Sequence, residues 1–450
     1  MALGGIYDQV GGGFARYTVD RRWQVPHFEK MLYDNAQLLR VYAHFSRQAA
    51  DEDLRALALR VTRETAAWMA AELAVPGSAF ASSLDADTLV DGRRVEGATY
   101  VFTRAELQRI LGTGSAALDL LDVDADDGAS HRLPGSTLRL SGVPDEAQAA
   151  VWAEARESLA AVRAERTQPE RDGKVVAGWN GLAVAALADA ALALADAGIP
   201  EDWILPAAEK AAGYLLEVHW NGRTLRRVSS DGKAQGIEGL LEDYAGVAEG
   251  LFALYAATGN PRWHGAAQQL AAAAVERFLG PSGLSDTALE AEQIRQTQGG
   301  QSAANPLDDA VPSGTGLLAG VLLTSASYGG PARHRDLAER LVAHVQRAAP
   351  AIPQAVGWSM AVQQFLLDGP QELAVTGSDP EAVARLLRAG RGAGGPGLVI
   401  AHGKADGVGL LEGRETQDPA LAWVCRGMVC RRPVGTAAEV EAELAGGSQP

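Results

Sequence analysis

The densest run of chemically capable side chains lies between Gly11 and Asp34, which holds Arg16, Tyr17, Asp20, Trp23, His27, Glu29, Lys30, Tyr33 and Asp34. A histidine beside carboxylates can move protons near neutral pH, so His27 with Glu29 or Asp34 makes a candidate acid/base group. Trp23 and Tyr17 offer flat faces on which a sugar ring stacks, and Arg16 and Tyr33 join them as candidate ligand contacts. The same run has a structural reading, in which Pro26-His27 is a helix entry and Asp34 a buried partner for Arg16. Gly11, Gly12 and Gly13 permit a tight backbone path, but no Gly-Lys-Ser/Thr follows, so they build no phosphate loop.

Two acidic pairs, Glu242/Asp243 and Asp308/Asp309, stand where apolar helices are expected to begin. An aspartate there can cap free N–H groups and gains from the helix dipole, which accounts for one residue of each pair but not for two. Glycoside hydrolysis needs two carboxylates roughly 5 to 9.5 Å apart, one of them held protonated, and converging pairs would meet that need. Asp85 and Asp87, with Glu96 after them, share one face of an expected strand, where they reach a ligand, bind a cation or form a solvated edge. Trp179 and Asn180 open another helix, as a stacking platform and a cap, and Tyr244 joins the candidate ligand contacts. No Cys/His cluster has zinc-site spacing, so no metal is expected, and no cofactor is called for. Cys425 and Cys430 are five apart, read as unreactive thiols facing opposite sides of one strand.

The elements that must position these groups follow from periodicity. Segment 179–195 is apolar nearly all round, as in a helix buried on every side, whereas 203–218 is amphipathic. The alternation repeats at 241–257 with 262–278 and at 309–325 with 332–347, and 357–367 opens a further round. Links AGIP, TGNP and YGGP separate the members, and 31–47 with 53–73 form an earlier pair. Three of the buried helices carry a Leu-x-Asp signature: Leu32/Asp34, Leu241/Asp243 and Leu307/Asp309. Hairpins with one buried and one half-exposed helix are best satisfied by a toroid, whose inner helices all run one way and gather their aspartates at one mouth. An open solenoid is the competitor. Residues 78–174 differ, with a β-hairpin around Asp91-Gly92 and a loop over 122–149; after residue 370 a small β-containing tail with a helix at 380–389 closes the chain, and GGSQP reads as disordered.

Composition narrows the function classes. Hydrophobic residues make up 47% and charged residues 21%, and the formal charge is −16, an acidic chain poorly suited to phosphate backbones or anionic membranes. No secretory signal pattern opens the sequence, and the least charged stretch, Ala310 to Gly330, is too polar and broken to span a bilayer. A cytoplasmic protein without nucleic-acid or membrane partners is the expectation; a protein partner stays unknown.

The string GGIYDQVGGGFARYTVDRRWQVPHFEKMLYDNAQLL, followed in order by SSLDADT, EGATYVFT, DGKVVAGWNGL, LEDYAGVAEGL, DDAVPSG and AWVCRGMVC, resembles the family of spermatogenesis-associated thioredoxin-like proteins and their bacterial relatives. The resemblance implies a six-hairpin glycosidase-like α/α toroid, similar to N-acylglucosamine 2-epimerase and cellobiose epimerase folds, after a thioredoxin-like domain. This chain starts inside the GGIYDQ motif, so a truncated or misassigned start without that domain is expected. Epimerases of this fold use two histidines, whereas here His27 alone is expected at the mouth; His219, His264, His334 and His344 fall on outer helices and His402 in the tail.

The expectation is therefore a mainly α protein: an N-terminally incomplete α/α toroid with a β-hairpin insertion and a small α+β tail. Residues 1–76 hold the first toroid part, 77–174 the insertion and loops, 175–369 the remaining hairpins and 370–445 the tail. The function expected is binding or processing of a sugar-like small molecule, glycosidase- or epimerase-like; the alternative is a non-catalytic scaffold serving a thioredoxin-like redox protein.

Overall fold

A computed structural model describes residues 1–123, 135–290, 303–395, 397–414 and 419–446. Parts of the loop expected over 122–149 and of the GGSQP terminus lie outside the described residues. The chain divides into two compact units: Met1–Val175 with Asp189–Ala207, and Val176–Ala188 with Ala208–Pro450.

In the first unit, helices α1 (Leu32–Gln48) and α2 (Glu52–Trp68) pack side by side, and Asp51 caps α2 by accepting from the Leu54 N–H at 3.0 Å. The last turn of α2 widens into a π turn, Met69–Leu73. The glycine run has a packing cause: Gly12 and Gly13 adopt positive φ, and a Cβ on Gly13 would sit 2.5 Å from the Trp68 ring. Buried Asn35 on α1 receives the Phe14 N–H and donates to the Phe14 and Met31 carbonyls, which ties this N-terminal segment to the helix.

The β-hairpin stands where expected, Asp87–Val90 against Arg93–Glu96, with Asp91 and Gly92 both at positive φ as a two-residue turn requires. Part of the expected loop is instead helical. After α3 (Arg104–Leu111), helix α4 (Glu146–Ala164) begins at a capping box of Asp145 and Gln148 and buries Trp152, Ala155 and Leu159. Helix α5 (Ala177–Asp196) gives its first half to the second unit and its second half to the first. It is long and apolar enough to cross a membrane by composition, yet 78% of its apolar window is buried inside the protein, as in a core helix.

After α6 (Ile204–Tyr214), the second unit holds α7 (Leu241–Thr258), α8 (Pro261–Phe278), α9 (Gly314–Ser327), α10 (Arg333–Val342) and α11 (Gly357–Asp368). The apolar helices pack in parallel through glycines. A Cβ on Gly178 would lie 3.0 Å from Asp243 Oδ1, one on Gly181 2.3 Å from the Gly246 carbonyl, one on Gly314 3.0 Å from the Glu242 nitrogen, and one on Gly316 2.8 Å from Ser359 Oγ. The starts of α5, α7, α9 and α11 therefore stand together, and α8 and α10 cover α7 and α9. Helix α9 starts later than the 309 expected from the sequence, because Pro312 interrupts the chain and Ser313 caps it by accepting from the Gly316 N–H at 3.1 Å.

The tail is a four-stranded sheet ordered Leu398–His402, Gln371–Thr376, Leu421–Arg426, Val429–Cys430, with the first pair parallel and the others antiparallel. Helices α12 (Pro380–Ala393) and α13 (Ala437–Ala445) bury Leu386 and Val440 against Leu373, Val375 and Val424 on one face. The cysteine expectation is corrected here. Gly427 and Met428, both at positive φ, turn the chain between Arg426 and Val429, so Cys425 and Cys430 lie opposite each other on two strands and are disulfide-bonded.

Candidate functional site

The run between Gly11 and Asp34 brings Arg16, Tyr17, His27, Glu29, Tyr33 and Asp34 near one another in the first unit, while Lys30 is buried. Tyr17–Thr18 pairs with Pro26–His27, and the loop between them closes on Asp20, whose carboxylate accepts the N–H groups of Val25, Arg22 and Gln24. Burial raises the Asp20 carboxyl, but those three donors hold it below its ordinary value. The loop carries Trp23 at φ 61°, 42% exposed, beside exposed Tyr17 and Val19.

Register sets His27 opposite Tyr17, and their rings stack at 4.9 Å. His27 Nδ1 lies 2.7 Å from Glu96 Oε1, so the β-hairpin insertion orients the imidazole, while His27 Nε2 faces Glu29 Oε2 at 3.9 Å. Arg16 Nη1 donates to Glu29 at 3.0 Å, and the Arg16 side chain also bonds the Tyr33 hydroxyl. Asp34 sits in the first turn of α1 next to the charges of Arg16 and Glu29. Its Oδ2 is buried without a hydrogen-bond partner, and burial, with Glu29 adding to it against Arg16, lifts its carboxyl to about 7. The arrangement offers an acid protonated near neutrality, a histidine held by one carboxylate and facing another, and exposed aromatic faces.

Asp85 and Asp87 are instead engaged by Arg94, which bonds Asp85 and lies 3.4 Å from Asp87. Among the described residues no group of three or more His, Cys, Asp or Glu could hold a metal ion.

Sequence reasoning passed over a buried cluster behind this face. Lys30 Nζ donates to Asp8 Oδ2 at 2.8 Å and to the Gly12 carbonyl at 2.9 Å, and Arg163 Nη1 reaches both Asp8 oxygens. Despite burial, Arg163 and Lys30 hold the Asp8 carboxyl far below its ordinary value, while burial lowers Lys30. The adjoining cavity of about 20 Å³ has room for one water and none for a sugar. No local signal could reveal a pairing between residues so distant in sequence.

In the second unit Asp243 is fully buried. Its Oδ1 accepts the Gly178 N–H at 3.0 Å, and its Oδ2 accepts from the Leu240 N–H at 2.9 Å and Arg227 Nη1 at 2.7 Å. Arg227 also pairs with half-buried Glu242 at 2.8 Å. Asp286, which the sequence reading did not single out, accepts the Leu241 N–H on its carbonyl, and burial raises its carboxyl. Asp308 accepts the N–H groups of Ser313 and Trp358, each at 2.9 Å, whereas Asp309 is exposed. Asn180 is buried and donates to the Val176 carbonyl at 3.0 Å; Trp179 is half-buried. Tyr244 is buried, and its hydroxyl accepts the Leu225 N–H at 2.8 Å.

No family model matches the chain. It is similar to spermatogenesis-associated protein 20 of Homo sapiens, 28% identical over 96% of this chain and 60% of that protein. It is equally similar to the uncharacterized protein B0495.5 of Caenorhabditis elegans, 28% identical over 98% of this chain and 64% of that protein. The chain thus spans about three fifths of the length of these curated relatives. Among solved structures it is similar to a sugar epimerase from a ruminal bacterium, with TM-score 0.39, 8% identity, and coverage of 81% of this chain and 67% of that one.

Proposed function

We propose that the face built from Arg16, Tyr17, His27, Glu29, Asp34 and Glu96 binds a carbohydrate or similar polyhydroxylated ligand and transfers protons on it. The observation that carries this reading is the unpartnered, buried Asp34 oxygen beside Glu29, on a carboxyl raised to about 7. A carboxyl without a structural bond to make, protonated at working pH, is suited to a general acid. His27, oriented by Glu96, is the base, Glu29 with Arg16 sets the field between them, and Tyr17 and Trp23 form the stacking floor. Tyr33 positions Arg16.

The helical hairpins are read as part of an α/α toroid, supported by the parallel packing of α5, α7, α9 and α11. In the second unit Glu242 and Trp179 are proposed ligand contacts, and Asp243, Asp308, Asn180 and Tyr244 the frame behind them. One observation favours the alternative of a non-catalytic scaffold, namely that Asp243 and Asp308 are taken up by backbone donors.

The test incubates the chain in D2O with glucose, mannose, N-acetylglucosamine and cellobiose and follows exchange of sugar C–H protons by NMR, with Asp34→Asn and His27→Ala in parallel. Exchange into one sugar, lost in both variants, is the expected result. No exchange, and no rise in melting temperature with any of the four, would favour the scaffold.

A further inference from the structure

The registers of the C-terminal sheet place three chemically capable residues in one row. Glu372 lies directly opposite Cys425, and Cys425 directly opposite Cys430. Side chains of directly opposed residues point to the same face, so this row stands on the face away from the Leu373, Val375 and Val424 core. The three environments differ. The Cys425 residue is 1% exposed, Cys430 is half-buried, and Glu372 is fully buried with Oε1 lacking any hydrogen-bond partner. Its other oxygen accepts the Met428 N–H at 3.3 Å. Arg414 Nη2 lies 2.9 Å from Cys430 Sγ.

We propose that Cys425 and Cys430 form a thiol–disulfide exchange site, with Cys430 as the attacking sulfur, Cys425 as the resolving one and Glu372 as the proton acceptor for Cys425. The partner is a thiol or disulfide compound, small or protein-borne. In the reduced form the Cys430 thiolate, stabilised by the Arg414 guanidinium, attacks one sulfur of the partner disulfide and expels a thiolate, leaving a mixed disulfide. Cys425 then gives its proton to Glu372 and attacks Cys430 Sγ, which releases the second partner thiolate and closes the observed bond. Two electrons pass to the partner, and the two protons lost by the cysteines end on its two thiols. The reverse sequence, driven by a dithiol, reopens the pair.

The surroundings favour a thiolate at Cys430. Arg426, Arg431 and Arg432 flank the hairpin, with Arg431 paired to Glu443 at 2.7 Å. The buried carboxyl of Glu372 is raised by burial, against the pull of the Met428 N–H, Arg335 and Arg426, so it takes up a proton more readily than an ordinary glutamate.

The experiment equilibrates the full chain in mixtures of reduced and oxidised dithiothreitol, traps thiols with a maleimide and counts them by intact mass; reduced protein is then mixed with glutathione disulfide and quenched with acid. The expected wild-type behaviour is conversion between no thiols and two, without accumulation of a one-thiol species. Cys425→Ser should stop as a glutathione adduct, and Cys430→Ser should react at least about tenfold more slowly. Arg414→Ala leaves both sulfurs in place and should slow the first step about tenfold at pH 7, with recovery at higher pH as the unassisted thiol ionises. Glu372→Gln should slow only the second step and flatten its pH profile. Two thiols that stay free throughout the oxidised mixtures, a disulfide that opens only on unfolding, or an Arg414→Ala rate equal to wild type would overturn the proposal.

Discussion

Leu32-Tyr33-Asp34 and Leu241-Glu242-Asp243 place an aspartate at the same point in the first turn of a helix, one in each unit, and the two have different fates. Asp243 is saturated: two backbone N–H groups and a guanidinium occupy its oxygens. Asp34 has an oxygen with no partner. The difference lies in what precedes each helix. Before α7 the chain leaves the Leu240 N–H free to be capped and brings Arg227 alongside. Before α1 the chain is a strand paired with Ser83–Leu84, and at its N-cap residue, Met31, no capping box forms. Asp34 closes no capping box, and burial lifts its carboxyl to about 7.

Substitutions can break this contrast. Asp243→Ala removes a buried charge from three partners and should cost about 3–5 kcal/mol, read as a lower midpoint in urea unfolding. A loss under 1 kcal/mol would mean that Asp243 is no keystone and would return it to the catalytic candidates. Asp34→Asn should act in the opposite direction. The folded carboxyl at about 7 holds its proton more tightly than the unfolded one at 3.8, so the contribution of Asp34 to stability is complete below the unfolded value and is lost as pH rises through the folded one. Wild type should therefore weaken between about pH 4 and pH 7, and the amide variant should lack that slope and be more stable at pH 8 by up to roughly 3 kcal/mol.

A milder effect sharpens the second-unit side of the contrast. Gly181→Ala pushes a methyl to 2.3 Å from the Gly246 carbonyl, where only backbone can yield, and should cost about 2 kcal/mol in the same unfolding experiment. An unchanged midpoint would show that the parallel helix packing is looser than described. The smallest effect belongs to the exposed rim: Arg94→Ala, which frees Asp85 and Asp87, should leave the melting temperature unchanged, since exposed ion pairs add little. A clear drop would give that pair a structural part.

Much of the helical scaffold was legible, because helices apolar on every side such as Gly314–Ser327 and amphipathic ones such as Pro261–Phe278 announce themselves by period. The Asp91-Gly92 hairpin carried its own turn chemistry. The Arg-Gly-Met-Val turn did not, since methionine rarely adopts positive φ, and with the turn went the facing cysteines. Helix α4 was passed over although its Asp145/Gln148 capping box was present. At the site, proximity within Gly11–Asp34 was legible because the residues are neighbours in the chain. That Glu96 holds His27, and that Asp243 but not Asp34 is saturated, depend on partners brought in from distant segments, whereas Arg94 reaches Asp85 from only nine residues away, through the hairpin.

The most direct test is a carboxyl ¹³C NMR titration of the folded chain, with Asp34→Asn assigning the Asp34 resonance. A midpoint near 7 is the predicted result. A midpoint near 4, the ordinary value for aspartate, would contradict the account and leave Asp34 an ionised carboxylate without the capacity to act as an acid.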